Sequence, residues 1–130
     1  MKTSFSPDLR AASADVMNVC EALGRLGNDR ELLVSIIEIY LEDSPALLDK
    51  ARRAVMANDP AALQRAAHGM RGLAVTLSAG DVAAAANRLE HMGASKSLGE
   101  AAQAVTDLEA KLHELNAAAK AYAGNGHRKG

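Results

Sequence analysis

The sequence contains no tryptophan, one phenylalanine and two tyrosines, so aromatic residues make up only 2% of its 130 residues. A core formed by two packed β-sheets would be hard to fill without such bulky side chains. Closely packed helices suit small aliphatic side chains better, and alanine supplies much of the 48% hydrophobic content. The chain has the length of one domain with one modest core. The composition therefore favours a single all-α domain.

Other absences exclude whole classes of function. The single cysteine, Cys20, cannot form an internal disulfide, and no Cys/His cluster indicates zinc. The 15 Lys and Arg nearly balance the 16 Asp and Glu, which leaves no basic excess for nucleic acid or anionic lipid. No apolar stretch is long enough to span a bilayer, and the first residues lack the apolar segment of a secretory signal. We therefore expect a cytoplasmic protein that binds neither nucleic acid nor membranes.

Helical spacing of apolar residues runs through most of the chain, and no stretch alternates as a strand would. The predicted helices cover residues 13–26, 29–57, 60–78, about 81–92 and about 97–122. Pro45 leaves two possibilities within the second of these, namely one kinked helix or two abutting helices. Gly93 is expected to end the fourth helix, and either Ser95 or Ser97 to cap the fifth.

Short connections between these long amphipathic helices predict an antiparallel up-down four-helix bundle with a short additional N-terminal helix. We assign this bundle to residues 13–122. Residues 1–12 lack helical periodicity and contain Pro7, which predicts a flexible N-terminal arm. The apolar spacing of the fifth helix fades near Tyr122, so residues 123–130 are expected to form a disordered tail.

The third helix carries a histidine on the side opposite its apolar stripe. At 100° per residue, His68 lies about 160° from the centre of that stripe, so it is not expected in the core. Arg71 and Gly72 follow one turn later, and Arg65 precedes by one turn. A neutral imidazole is a nucleophile near pH 7, and a nearby guanidinium stabilises phosphate oxygens. This group of residues is typical of a phosphoryl carrier. The stripe comprises Leu63, Ala66, Ala67, Met70, Leu73, Ala74 and Leu77.

Two glycines, Gly69 and Gly72, lie inside this helix, where each costs about 1 kcal/mol relative to alanine. Neither is near enough to an end of the helix to act as a cap. Two explanations stay open. Gly72 leaves the space beside the imidazole of His68 empty for a partner protein, or both glycines permit close packing of a neighbouring helix.

The other candidates for metal-ligating or reactive residues have structural interpretations. Cys20 lies on the apolar face of the first helix and is expected in the core. His91 is expected at the rim of the fourth helix, and His113 beside the apolar seam of the fifth. Glu109 and His113 are four residues apart, but a two-metal bundle needs a second such pair, so no metal site is predicted.

The segment Ala67-His68-Gly69-Met70-Arg71-Gly72-Leu73-Ala74 resembles the signature of histidine-containing phosphotransfer (HPt) domains. That signature is Ala-His-x-apolar-Lys-Gly followed by two small residues. The resemblance extends over about residues 13–118 and includes Leu41-Glu42-Asp43-Ser44-Pro45 and Leu89-Glu90. The chain departs from the family pattern with Arg71 in place of the usual Lys and Gly69 where a hydroxyl residue is common. Leu73 replaces a small residue, and Ser78 replaces a turn glycine.

By this resemblance, His68 is the phosphoacceptor, Arg71 stabilises the phosphoryl group and Gly72 provides clearance. Arg65 is a further candidate for contact with the phosphoryl group, and Gly69 and Val75 are candidates for partner docking. The resemblance implies a reversible relay between receiver-domain aspartates in two-component signalling. It also implies a carrier that has no kinase activity, binds no ATP and holds no cofactor.

The partners implied are receiver domains of response regulators, a hybrid histidine kinase, or both, and the chain is expected to be a monomer. Magnesium for the reaction is expected on the receiver domain. Two other functions stay open: a non-catalytic helical adaptor that binds a receiver or a kinase, and a helical scaffold that associates through the fifth helix.

Overall fold

The structure, a computed structural model, describes residues 16–129, with side chains as far as residue 124. Within this part, the chain forms five helices and no strand, which confirms the prediction of an all-α protein. The arm predicted at residues 1–12 lies outside the described residues. The helices are α1 (Val19–Arg25), α2 (Arg30–Met56), α3 (Pro60–Thr76), α4 (Gly80–Ala94) and α5 (Ala101–Lys129).

Local chemistry at the helix ends keeps the connections short. The carboxylates of Asp29 and Asp59 cap α2 and α3, each accepting a hydrogen bond from the backbone N–H three residues later. Asn58, Ser78 and Lys96 follow the ends of α2, α3 and α4 with left-handed φ angles of 54°, 54° and 59°. In each case the next N–H returns to a carbonyl of the last helical turn, which reverses the chain within a few residues.

The four long helices surround one core. Each of them packs against the next in the chain, α5 also packs against α2, and α1 packs against α2. Gly93 near the end of α4 lies against Pro60 at the start of α3, so these two helices run in opposite directions. All four long helices and the α3–α4 turn contribute the largest buried side chains, which are Leu33, Ile37, Tyr40, Leu63, Met70, Leu77, Val82, Leu89, Leu108 and Leu115.

Tyr40 is the one aromatic side chain fully buried in the described part of the chain. Its hydroxyl donates a hydrogen bond of 2.6 Å to Oδ1 of Asn116 on α5, which satisfies a polar group that burial would otherwise penalise. Burial raises the pKa of Tyr40 to about 12, against a smaller opposing effect of its hydrogen bond with Ser44. The phenol therefore stays neutral and links α2 to α5.

The question left open at Pro45 is decided in favour of one continuous helix. Proline removes one backbone hydrogen bond from α2. However, residues on both sides of it, Tyr40 and Ser44 before and Ala51 after, are buried in the same core. Packing along the whole length of α2 holds the helix together across the missing bond.

The first helix differs from the prediction at its start and in the exposure of one residue of its apolar face, whereas Val19, Leu23 and Leu26 of that face pack against the core. It begins at Val19 because Asn18 caps it, accepting a hydrogen bond of 3.0 Å from the N–H of Glu21. Residues 13–15 of the predicted helix lie outside the described residues. Cys20 was expected in the core, and this prediction was wrong. The cysteine is exposed, whereas Met17 and Ala22 are buried.

Gly93 does not end α4, as the sequence predicted, but lies buried within its last turn. The left-handed position after this helix is taken by Lys96, and α5 begins only at Ala101. Ser95 and Ser97 therefore belong to the connection rather than to the cap of α5. The reason is tertiary, because α3 approaches α4 so closely at Gly93 that no side chain fits there.

The last helix also continues beyond its predicted end. The structure extends α5 to Lys129, whereas a disordered tail was expected from residue 123. Ala119 and Ala123 are both buried and continue the seam of α5 in a step of four residues. Alanine is a weak hydrophobic signal in a sequence, but it suits a closely packed helix–helix contact.

Gly93→Ala is expected to destabilise the fold by about 1–3 kcal/mol through overpacking. A Cβ atom at this position would lie 2.7 Å from the carbonyl oxygen of Pro60 and 2.8 Å from the backbone N of Gln64. Both are backbone atoms, so α3 and α4 must move apart. Urea unfolding followed by circular dichroism measures the loss. An unchanged midpoint would contradict the close approach.

Candidate functional site

Helix α3 presents His68 to solvent. Its opposite face buries Leu63, Ala67, Met70 and Ala74, which fixes the rotation of the helix about its axis. The His68 side chain is 67% exposed, as helical periodicity predicted. One imidazole is thus held on a rigid helix with most of its ring accessible to a second protein.

Three side chains meet at this position. Nδ1 of His68 lies 2.8 Å from Oε2 of Glu90, and Nε of Arg71 donates a hydrogen bond of 2.8 Å to Oε1 of the same carboxylate. Nη2 of Arg71 lies 3.3 Å from Nδ1 of His68. The two helices α3 and α4 therefore bring together an imidazole, a guanidinium and a carboxylate that bridges them.

Glu90 is ionised at neutral pH. The hydrogen bond from Arg71, together with the weaker effect of His68, holds the pKa of Glu90 below its usual value. Partial burial acts in the opposite direction and does not reverse this shift. The Glu90 side chain is 18% exposed, and each of its two oxygens has a partner in the chain.

The position of the imidazole proton follows from this geometry. An ionised carboxylate can only accept a hydrogen bond, so the proton of a neutral His68 lies on Nδ1, facing Glu90. The contact between Arg71 and Nδ1 is then between two donors and is not a hydrogen bond, although it places the guanidinium beside the ring. Nε2 consequently carries the lone pair on the other side of the imidazole.

Comparison with known proteins identifies the family of this chain. The family model for the Hpt domain matches residues 35–118, which is well over half of the chain. The chain belongs to the Hpt domain family. Hpt domains in general are phosphocarrier modules of two-component phosphorelays rather than kinases, and they interact with receiver domains and kinases. No curated protein and no solved structure matches the chain.

Two structural findings bear on cofactors and on membranes. The described residues of this Hpt domain contain no cluster of His, Cys, Asp or Glu side chains arranged to hold a metal ion. Within the same part of the chain, no helix combines the length and the apolar character needed to cross a bilayer.

Glu90 is the residue of this site that sequence reasoning missed. The resemblance to HPt domains includes the pair Leu89-Glu90 but assigns no role to Glu90. His68 and Glu90 are 22 residues apart and lie on different helices. Only the register between α3 and α4 brings them together. In the sequence, Glu90 is one acidic residue on the partly exposed face of the next helix. Most such residues are simply solvated, so this position alone does not indicate a functional residue.

The remaining predicted residues of the Hpt site differ in their surroundings. Arg65 is exposed and forms no ion pair or hydrogen bond with the described part of the chain, so the structure does not connect it to His68. Gly69 faces α2, because a Cβ atom there would lie 3.3 Å from Cδ2 of Leu47. Its absence of a side chain has a packing explanation. Val75 is exposed on the His68 side of α3.

Gly72 has no such explanation within the chain. A Cβ atom built at this position meets no atom within 4 Å. The internal packing alternative left open by the sequence therefore applies to Gly69 and not to Gly72. A glycine that weakens its own helix without an internal reason is consistent with clearance for a partner beside His68.

Gly72→Ala is accordingly expected to stabilise the domain, by about 1 kcal/mol, because alanine is the better helix former and no atom obstructs its methyl group. The same substitution at Gly93 is its matched control and is expected to have the opposite sign. Urea unfolding of the two variants side by side gives both values. Destabilisation by Gly72→Ala would show that the helix needs glycine there for its own fold.

Proposed function

We propose that this domain relays a phosphoryl group between receiver-domain aspartates through Nε2 of His68. The observation that supports this proposal most strongly is the contact of Nδ1 with Glu90. It leaves Nε2 unprotonated and exposed on a rigid helix face. We also propose that the helices form an antiparallel up-down four-helix bundle with α1 as the additional N-terminal helix. The domain acts as a monomer in the cytoplasm, together with its partners.

The transfer step follows from the electron balance at His68. The lone pair of Nε2 attacks the phosphorus of the receiver's aspartyl phosphate, and the bond between phosphorus and the aspartate oxygen breaks. The aspartate leaves as a carboxylate with the electron pair. The ring keeps its proton on Nδ1 and gains positive charge, which the carboxylate of Glu90 stabilises at 2.8 Å. The reverse sequence returns the group to an aspartate.

Arg71 contributes in two ways. Its Nε is occupied by Glu90, which orients the carboxylate against the imidazole. The N–H groups of its terminal nitrogens remain available for phosphoryl oxygens, for which a guanidinium has suitable geometry. We propose that Gly72, one turn from His68, leaves room for the receiver loop, and that Mg²⁺ acts on the receiver rather than on this chain.

The test is to incubate the purified chain with a panel of phosphorylated receiver domains from the same organism, labelled with ³²P. Acid-labile, base-stable label is expected on the chain from at least one receiver. Phosphoramidate, a small donor that phosphorylates histidine without a docked protein, is the second donor. Failure of the folded chain to accept phosphate from every donor would contradict the proposal. Binding without transfer would instead favour an adaptor.

A further inference from the structure

Helices α3 and α4 enclose a shallow groove along their line of contact, and His68 lies at one edge of it. Gly93 of α4 lies against Pro60 and Gln64 of α3, and the two helices run in opposite directions. Both helices rise by about 1.5 Å per residue, so equal numbers of residues cover equal lengths. Asn87, six residues before Gly93, therefore lies level with His68, which is six residues beyond the middle of the contact on α3.

The rotation of the two helices places Asn87 and His68 on opposite edges of this groove. Nε of Arg71 donates to Oε1 of Glu90, so the sides of α3 and α4 that carry these two residues face each other. At about 100° per residue, His68 lies about 60° further from the core of the bundle than Arg71. Asn87 lies about 60° further from the core than Glu90, in the same sense. Arg71 and Glu90 therefore form the floor of the groove, and His68 and Asn87 form its two edges.

Asn87 has no partner in the described part of the chain. Its side chain is exposed and forms no hydrogen bond or ion pair with the described residues. Asparagine is a poorer helix former than alanine, and residues 83–86 directly before it are all alanine. Like Gly72, Asn87 thus weakens its own helix without an internal contact that explains it.

The chemistry of the amide matches a phosphoryl group carried by Nε2 of His68. The NH₂ group of asparagine offers two hydrogen-bond donors and carries no charge, so it does not compete with Arg71 for the carboxylate of Glu90. The axes of packed helices are about 8–10 Å apart, which brings a phosphoryl group at one edge of the groove within reach of an amide at the other edge. Arg71 approaches the same group from the floor.

We propose that the side-chain amide of Asn87 donates a hydrogen bond to an oxygen of the phosphoryl group at His68 and is a catalytic residue of the transfer. The inference rests on the phosphorelay function proposed above. The bonds that form and break are those already given for His68, and Asn87 exchanges neither a proton nor an electron pair. Because the amide acts on the transferred group rather than on the receiver, its effect extends to a donor without a protein surface.

Asn87→Ala is expected to slow phosphate uptake about tenfold with both a phosphorylated receiver and phosphoramidate. The affinity for the unphosphorylated receiver, measured by isothermal titration calorimetry, should not change. Asn87→Asp is expected to slow uptake by about a hundredfold, because a carboxylate repels the phosphoryl oxygens. Asn87→Gln keeps the amide and should recover most of the rate. Ala117→Asp is the control for the added charge, since Ala117 is exposed on α5, which packs against α2 and α4.

Unchanged uptake from phosphoramidate by Asn87→Ala would overturn the inference while leaving transfer through His68 intact. A loss seen only with the receiver, together with weaker binding, would also overturn it, since Asn87 would then act in docking. A rate for Asn87→Asp no lower than that of Ala117→Asp would have the same meaning. Circular dichroism checks the fold, and Asn87→Ala should melt no lower than the wild type. Absence of uptake by the wild type from every donor would instead contradict the proposed function itself.

Discussion

His68→Gln is expected to abolish uptake of acid-labile phosphate from both receiver domains and phosphoramidate. Glutamine occupies similar space and can still accept or donate a hydrogen bond toward Glu90, but it has no ring nitrogen with a nucleophilic lone pair. Because the His68 side chain is 67% exposed and contributes little to packing, the free energy of unfolding should change by no more than about 0.5 kcal/mol. Loss of label with an unchanged melting curve separates chemistry from folding.

His91→Gln provides the matched control for this experiment. His91 is also exposed and lies on α4, directly after Glu90, yet no described contact brings its side chain to His68. Its variant should take up label as the wild type does. Label that persists in His68→Gln and disappears in His91→Gln would move the phosphoacceptor to α4. Label that persists in both single variants would exclude either histidine as the sole acceptor.

Glu90→Ala is expected to slow phosphotransfer by about ten- to a hundredfold. Without the carboxylate, nothing holds the proton on Nδ1, so part of the population carries it on Nε2 and cannot attack. In a buried triad, loss of the orienting carboxylate costs about 10⁴ in rate. His68 is largely exposed, so water replaces part of the lost interaction and we expect a smaller effect. Rapid-quench kinetics with a phosphorylated receiver gives the rate.

The ¹⁵N chemical shifts of the His68 ring provide a readout that loss of a merely structural contact would not change. The wild type should show the proton on Nδ1, Glu90→Ala a mixture of both tautomers, and Glu90→Gln a state closer to the wild type. In Glu90→Gln the amide oxygen can still accept a hydrogen bond from Nδ1. The negative charge of the carboxylate and its ion pair with Arg71 are lost. Glu114→Ala, which removes an exposed carboxylate on α5, is the control. An unchanged tautomer in Glu90→Ala would refute the positioning role.

Several features of this domain follow from local sequence rules alone. The exposure of His68, and the positions of Arg71 and Gly72 one turn away, require only the 100° rotation per residue within a single helix. Asp59 and Pro60 indicate the start of α3 for the same reason, since cap and first-turn preferences involve neighbouring residues. Such features depend only on the geometry of residues that are close together in the sequence, so they can be predicted from the sequence alone.

Other features depended on which helix lies beside which. Local rules made Gly93 a helix end, but its contact with Pro60 of α3 places it inside α4. The same kind of contact separates Gly69, which faces Leu47, from Gly72, which faces no atom of the chain. No spacing within one helix distinguishes a glycine required by a neighbouring helix from one that a partner requires.

The sequence by itself determined an all-α fold, the helix that carries the histidine and the side of that helix on which it lies. Only the tertiary structure decided that Oε2 of Glu90, 22 residues away on α4, lies 2.8 Å from Nδ1 of His68, and that α1 and the α3–α4 turn form a depression near Val75. The physical reason is the distance along the chain over which each effect acts. Periodicity and capping act within a few residues, whereas the register of packed helices depends on the whole core.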